Sequence, residues 1–258
     1  MTARIIGPIV VGVLALVLWE GIVRWADIPN YILPGPRLVL HTLIQDWPTL
    51  APALWITLAI TAKALVAAVV VGGLLAVLFA QSKWIEASFY PYAIILQVTP
   101  IVAIAPLIIA WANDVDLSLL ICAWLVAFFP ILSNTIIGLN SADHNLINLF
   151  QLYGASRWQT MRYLRLPAAL PFFLAGLKIS GGLALIGAVV AEFVAGSGGS
   201  ASGLAYRILE SGYQLRIPRM FAALLLISLS GIAIFFVTSI IAHFALRHWH
   251  ESAVTREN

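Results

Sequence analysis

Charge is scarce in this chain: 10% of its 258 residues are charged, against 62% that are hydrophobic. Soluble domains carry about 25% charged and roughly 45–50% apolar residues, so a soluble globular domain and a disordered chain are both excluded. Cysteine is nearly absent. Cys122 stands alone in an apolar run, which excludes an internal disulfide and leaves it the role of a small hydrophobe. Runs of basic residues are missing too: the 14 Lys and Arg are scattered, and the net charge of +3 marks no stripe for nucleic acid. No Gly-Lys-Ser/Thr phosphate loop and no Gly-x-Ser-x-Gly elbow occur, so neither ATP hydrolysis nor serine-hydrolase chemistry is expected of this chain, and no residue is assigned to catalysis. His243, His248 and His250 are spaced i, i+5 and i+7, unsuited to one helix face, so neither a metal nor a cofactor is expected.

What is present is apolar length. Bounded by turn and charge signals, the apolar runs predict six spans over residues 5–25, 53–80, 86–111, 117–139, 171–195 and 219–246. The fold class expected is an all-α integral membrane protein, a single transmembrane domain over residues 1–258. The first run is longer than the ~7–15 residues of a cleavable signal core and has no small-residue cleavage site, so it reads as a retained helix. The third contains Pro91, Pro100 and Pro106 and is expected to kink and to face protein or a cavity. Leu33-Pro34-Gly35-Pro36 predicts a turn into an interfacial helix over 37–47, ended by Trp47 and Pro48. Gly196-Ser197-Gly198-Gly199-Ser200 predicts a surface loop before a short amphipathic stretch, 204–215.

The connection between the fourth and fifth spans, 140–170, is the most informative segment. Leu146, Leu149, Phe150 and Tyr153 recur at i, i+3, i+4 and i+7 with Asn145, Asn148 and Gln151 opposite, which predicts an amphipathic helix capped by Ser141 or Asp143. Gly154 ends or bends it, and 155–166 can form a second helix carrying Arg157, Arg162 and Arg165 before Pro167. Two helices hinged at a glycine make an angular protrusion. Its three arginines suit the cytoplasmic side, whereas Asp114 and Asp116, in a connection without Lys or Arg, suit the outer one. Both termini are then cytoplasmic.

Gly154-Ala155-Ser156-Arg157-Trp158-Gln159, followed by Leu164-Arg165-Leu166-Pro167, Ala168-Ala169-Leu170-Pro171 and Gly176-Leu177-Lys178-Ile179, resembles the EAA loop of ABC importer permeases. Gly154, Leu164, Leu166 and Pro167 keep that loop's spacing, while Asn148-Leu149-Phe150 stand where it has Glu-Ala-Ala. Around it, Trp19-Glu20, Leu33-Pro34-Gly35-Pro36, Thr99-Pro100, Pro106-Leu107 and Ala191-Glu192 resemble the nitrate, sulfonate, taurine and bicarbonate permease group. The resemblance implies a type I importer permease in the plasma (inner) membrane. It also implies a homodimer that moves a small solute, with two cytoplasmic ATPase subunits that bind the ATP and an extracytoplasmic substrate-binding protein. Asn148, Gly154, Ala155, Ser156, Arg157, Trp158, Gln159, Leu166 and Pro167 would then be the ATPase-coupling residues.

Four ionisable residues fall in or near the spans: Glu20, Lys63, Lys178 and Glu192. Each costs ~2.5–3.5 kcal/mol at mid-bilayer on insertion scales, so a partner or an aqueous face is expected. Lys178 can snorkel to the cytoplasm, and Lys63 can pair with Glu20 or Glu192, either as a structural tie or beside the translocation path. Gln97, Thr99 and Pro100 are candidates to line that path, because broken helices expose backbone polar groups to a cavity. The alternative class is a secondary transporter driven by an ion gradient, whose midplane acids would couple ions. Six spans are few for one, and it would give the glycine-hinged connection no role.

Overall fold

The computed structural model describes residues 2–196 and 202–247, with side-chain surroundings from residue 6 onward. His248, His250 and most of the glycine-rich stretch after Gly196 lie outside the described residues. Among the described residues every regular element is helical: α1 (Thr2–Trp25), α2 (Pro36–Gln45), α3 (Trp47–Gln81), α4 (Lys83–Val98), α5 (Ile101–Ala112), α6 (Val115–Asn140), α7 (His144–Leu152), α8 (Arg157–Thr160), a π-helical turn (Met161–Arg165), α9 (Leu166–Ala195), α10 (Leu204–Tyr213) and α11 (Ile217–Leu246).

Among the described residues, five helical stretches are long and apolar enough to cross a membrane: Ile6–Trp25, Trp47–Gln81, Val115–Asn140, Arg157–Ala195 and Ile217–Leu246. The third apolar run differs from its expected form as one kinked span. It is two helices, α4 and α5, bent by 99° at Thr99 and Pro100, and counts as a sixth span only when the pair is taken together. Pro100 has no N–H to continue the ladder, and Thr99, preceding a proline, is extended at φ −66°, ψ 123°. Trp47 and Pro48 differ as well: they open α3 instead of ending α2, with Asp46 between the helices. Pro48 fits there because the first turn of a helix has no use for its missing N–H.

The chain divides into two compact units, 1–56 with 196–229, and 57–195 with 230–258. In the first unit the carboxylate of Glu20 organises the turn between α1 and α2. It is 2.6 Å from Arg24 and accepts the backbone N–H of Arg37 at 3.3 Å. Gly35, the N-cap of α2, has no side chain with which to cap, and a Cβ there would lie 2.7 Å from Glu20 Oε2. The acid from α1 therefore serves as the cap that α2 lacks. Asp46 and Arg219 form a second ion pair in this unit.

In the second unit α6 and α9 pack antiparallel at close range through small residues. Ser180 donates to the carbonyl of Ala127 at 2.6 Å. A Cβ on Gly138 would meet Ala169 Cα at 2.8 Å, one on Gly176 the carbonyl oxygen of Pro130 at 2.7 Å, and one on Gly187 Ala123 Cα at 2.9 Å. Water-driven burial is unavailable inside a bilayer, so such backbone approach supplies the dispersion contact that holds the pair. Ile131, Leu132 and Leu139 are fully buried beside it.

Candidate functional site

The 140–170 connection takes its shape from a series of local caps. Ser141 Oγ donates to the carbonyl of Gly138 and closes α6, which leaves the Asp143 carboxylate to accept the N–H of Asn145 at 2.7 Å as the N-cap of α7. At the other end of α7, Gly154 N–H donates to Gln151 O and Ala155 N–H to Phe150 O, at 3.0 and 2.9 Å. This pair of bonds is the Schellman motif, and it requires a left-handed residue, which Gly154 supplies at φ +71°. A Cβ at Gly154 would have nothing within 4 Å, so glycine is needed here for its backbone conformation and not for room.

Beyond the turn, Ser156 and Gln159 form a reciprocal capping box. Gln159 N–H donates to Ser156 Oγ at 3.2 Å, and Ser156 N–H donates to Gln159 Oε1 at 2.7 Å. The expected separate helix over 155–166 is a single turn of α8 that passes through the π-helical turn into α9, so Pro167 stops nothing. Leu166 N–H reaches back five residues to Met161 O, which admits one extra residue just before the proline. From Arg157 to Ala195 the backbone is continuously helical, and whatever moves α8 has a direct lever on the membrane span. Met161, 2% exposed, anchors the turn inside the protein, and Arg165 Nη1 donates to the carbonyl of Ala80 at the end of α3, 3.2 Å away.

The elbow stands clear of the rest of the unit. No residue of α7 is buried. Leu152 is 85% exposed, Tyr153 84% and Trp158 63%, and Asn148, Ser156, Arg157 and Gln159 are exposed with them. The face expected to be apolar, Leu146, Leu149, Phe150 and Tyr153, leaves only Phe150 half-covered, while Ile147 turns inward. Exposed Leu, Tyr and Trp side chains grouped on one elbow match the residue types that protein interfaces favour. Leu152 was not signalled by the i, i+3, i+4, i+7 pattern. The capping box was not expected either, although Ser156-x-x-Gln159 is its signature.

The intramembrane acids are used differently from the expected pairing. Glu20 is taken by Arg24 and the start of α2. Glu192, 4% exposed, accepts the hydroxyl of Thr57 at 2.8 Å. Lys63 is exposed on α3, and none of the ion pairs among the described residues includes it. The reason is helical phase: Thr57, Ile60, Thr61 and Ala64 form the buried face of α3, and Lys63 falls off it. Lys178 is half-buried. At the bend, Gln97 and Pro100 are exposed, whereas Thr99 is spent within its own helix, its hydroxyl donating to Ile95 O at 2.7 Å. Among the described residues no three His, Cys, Asp or Glu side chains converge as a metal site.

Residues 68–248 match the family profile described as "Binding-protein-dependent transport system inner membrane component". The chain is similar to the riboflavin transport system permease protein RibX of Chloroflexus aurantiacus, 34% identical over 250 residues that cover 93% of this chain and 88% of that one. It is equally similar to the formylaminopyrimidine transport permease protein ThiX of Halalkalibacterium halodurans, 34% identical over 226 residues, covering 87% and 88%. Among solved structures, the MetNI methionine ABC transporter in inward-facing conformations gives a TM-score of 0.61 at 19% identity over 75% of this chain and 94% of that one. At that identity the likeness concerns the fold alone.

Proposed function

Because the chain belongs to the family of binding-protein-dependent transport system inner membrane components, we propose that its 140–170 elbow is where ATPase subunits engage and drive it. The chain is a multi-pass membrane protein with the fold of a type I ABC importer permease. It is the permease component of an importer of small solutes, in the group that includes nitrate, sulfonate and taurine permeases. The observation that carries the proposal is the display of Leu152, Tyr153 and Trp158 on two short helices set by the Schellman turn and the capping box.

The mechanism follows from the connectivity. An ATPase that closes on ATP pulls the elbow of each of two permease copies. Because α8, the π-helical turn and α9 form one helix, displacement of α8 tilts a membrane span instead of bending a loop. Its tight partner α6 moves with it through the small-residue seam. Arg165, bonded to the end of α3, carries the displacement to that helix as well. ATP is bound and hydrolysed by the partner, and the elbow and both termini lie in the cytoplasm at the inner membrane. An extracytoplasmic binding protein delivers the solute on the opposite face. Gln97 and the bend at Thr99 and Pro100 line the route, and Lys63, left without an acid, borders it. Glu20 and Glu192 act as structural ties.

The test is retention of the cognate ATPase by affinity-tagged permease in detergent. Tyr153→Ala combined with Trp158→Ala removes two aromatic anchors, each worth about 2 kcal/mol if central to an interface, and should lower ATPase affinity more than ~100-fold while folded permease is recovered in normal yield. Unchanged retention would reduce the elbow to a surface hairpin.

A further inference from the structure

A cavity of about 970 Å³ lies between the inner face of the elbow, the end of α3 and the first turns of α4. Lys83, Arg157 and Arg165 line it against one carboxylate, Glu86, and none of these four belongs to an ion pair among the described residues. Its walls therefore carry an excess of two positive charges before His144, also at the wall, is counted. The start of α4 adds to this. Ser82, its N-cap, makes no side-chain capping bond, and Lys83 of the first turn lines the cavity, so the uncapped positive end of a 16-residue helix lies beside it.

We propose that this cavity binds a phosphate-bearing anion. Unpaired cations in a concave site, backed by a helix N-terminus, form a receptor for an oxyanion. The phosphate can come from two sources, a phospholipid headgroup or free phosphate in solution. The surroundings favour the lipid. Trp84, beside Lys83, is 74% exposed, and Phe89 and Tyr92 on the same helix are exposed too, so α4 offers an aromatic, apolar outer side to acyl chains next to a basic pocket. The placement of the pocket at the inner leaflet rests on the elbow reading above; its charge does not. An anionic lipid bound here would sit between α4 and the lever that the ATPase moves, so membrane composition would tune coupling.

Native mass spectrometry of the full-length permease, released from neutral detergent with dioleoyl phosphatidylglycerol or dioleoyl phosphatidylcholine added, tests the site. A lipid source predicts that phosphatidylglycerol is retained in preference to phosphatidylcholine and is displaced by excess inorganic phosphate. A solution source predicts bound inorganic phosphate with no preference between the lipids. In either case Lys83→Gln should weaken the bound anion about fivefold and Glu86→Gln should strengthen it by a similar factor, the effect of one charge near a headgroup. The opposite signs separate binding from misfolding. Equal retention of both lipids without phosphate binding, or retention that neither substitution shifts, overturns the proposal. Gly154→Val, assayed in parallel for ATPase retention, tests the elbow reading on which the placement of the site rests. Full retention of the ATPase there with the charge-dependent binding intact would remove the coupling role and leave the anion site.

Discussion

Glu20 carries a consequence of its own at the scale of single residues. An acid near the end of an apolar run is costly in a membrane, yet here it closes a turn, with Arg24 on one side and the N–H of Arg37 on the other. The Trp-Glu and Leu-Pro-Gly-Pro signals, separate in the sequence, are two halves of this device. Glu20→Ala should lower the stability of purified permease, as loss of a helix cap does, read as a lower thermal unfolding temperature in detergent. Gly35→Ala should do the same, because its Cβ would enter the space of the carboxylate. Equal unfolding temperatures for all three proteins would contradict the capping role. The sequence told that Glu20 needed a partner and not which one; Arg24, one helical turn on, supplies it. The position of Lys63 on α3 was not legible in the same way, since its phase depends on which neighbours bury that helix.

Elements were legible in proportion to how local their causes are. The first helix of the elbow, the glycine after it and the Asp143 cap follow from residues within one or two turns and appear where the spacing placed them, whereas the second helix, expected to stop before Pro167, is one turn that runs on into α9. The bend between α4 and α5 was visible as a cluster of prolines, but its size was not, since proline removes a hydrogen bond and leaves tertiary contacts to set the angle. The seam between α6 and α9 left no mark that single-sequence reading used. Its glycines are spaced for a partner helix, and the partner is known only from the fold. A direct check compares two glycines of α9. Gly176→Leu drives a side chain into Pro130 and Asn134 and should cost about 3 kcal/mol or more, seen as loss of monodisperse permease on size exclusion. Gly182→Ala, with nothing within 4 Å of its Cβ, should behave as wild type. Similar losses from both would show that the seam is not close-packed.

At the scale of the whole molecule, antiparallel α6 and α9 put the elbow at one membrane face and the Asp114–Asp116 turn, at the other end of α6, at the opposite one. Impermeant thiol reagent added to intact cells should therefore modify Asp116→Cys and spare Gln159→Cys, both made in a Cys122→Ser background. The reverse pattern would invert the topology. The central claim, that the elbow transmits ATPase motion to α9, is tested most directly at Gly154. A β-branched residue at φ +71° costs more than ~1 kcal/mol and re-aims α8, yet meets no neighbour, so the membrane fold is left alone. The measurement is ATP-driven solute uptake together with ATPase co-purification, for wild type and Gly154→Val reconstituted in the same vesicles. The account predicts normal insertion with uptake and ATPase retention falling together; wild-type uptake and retention in Gly154→Val would contradict it.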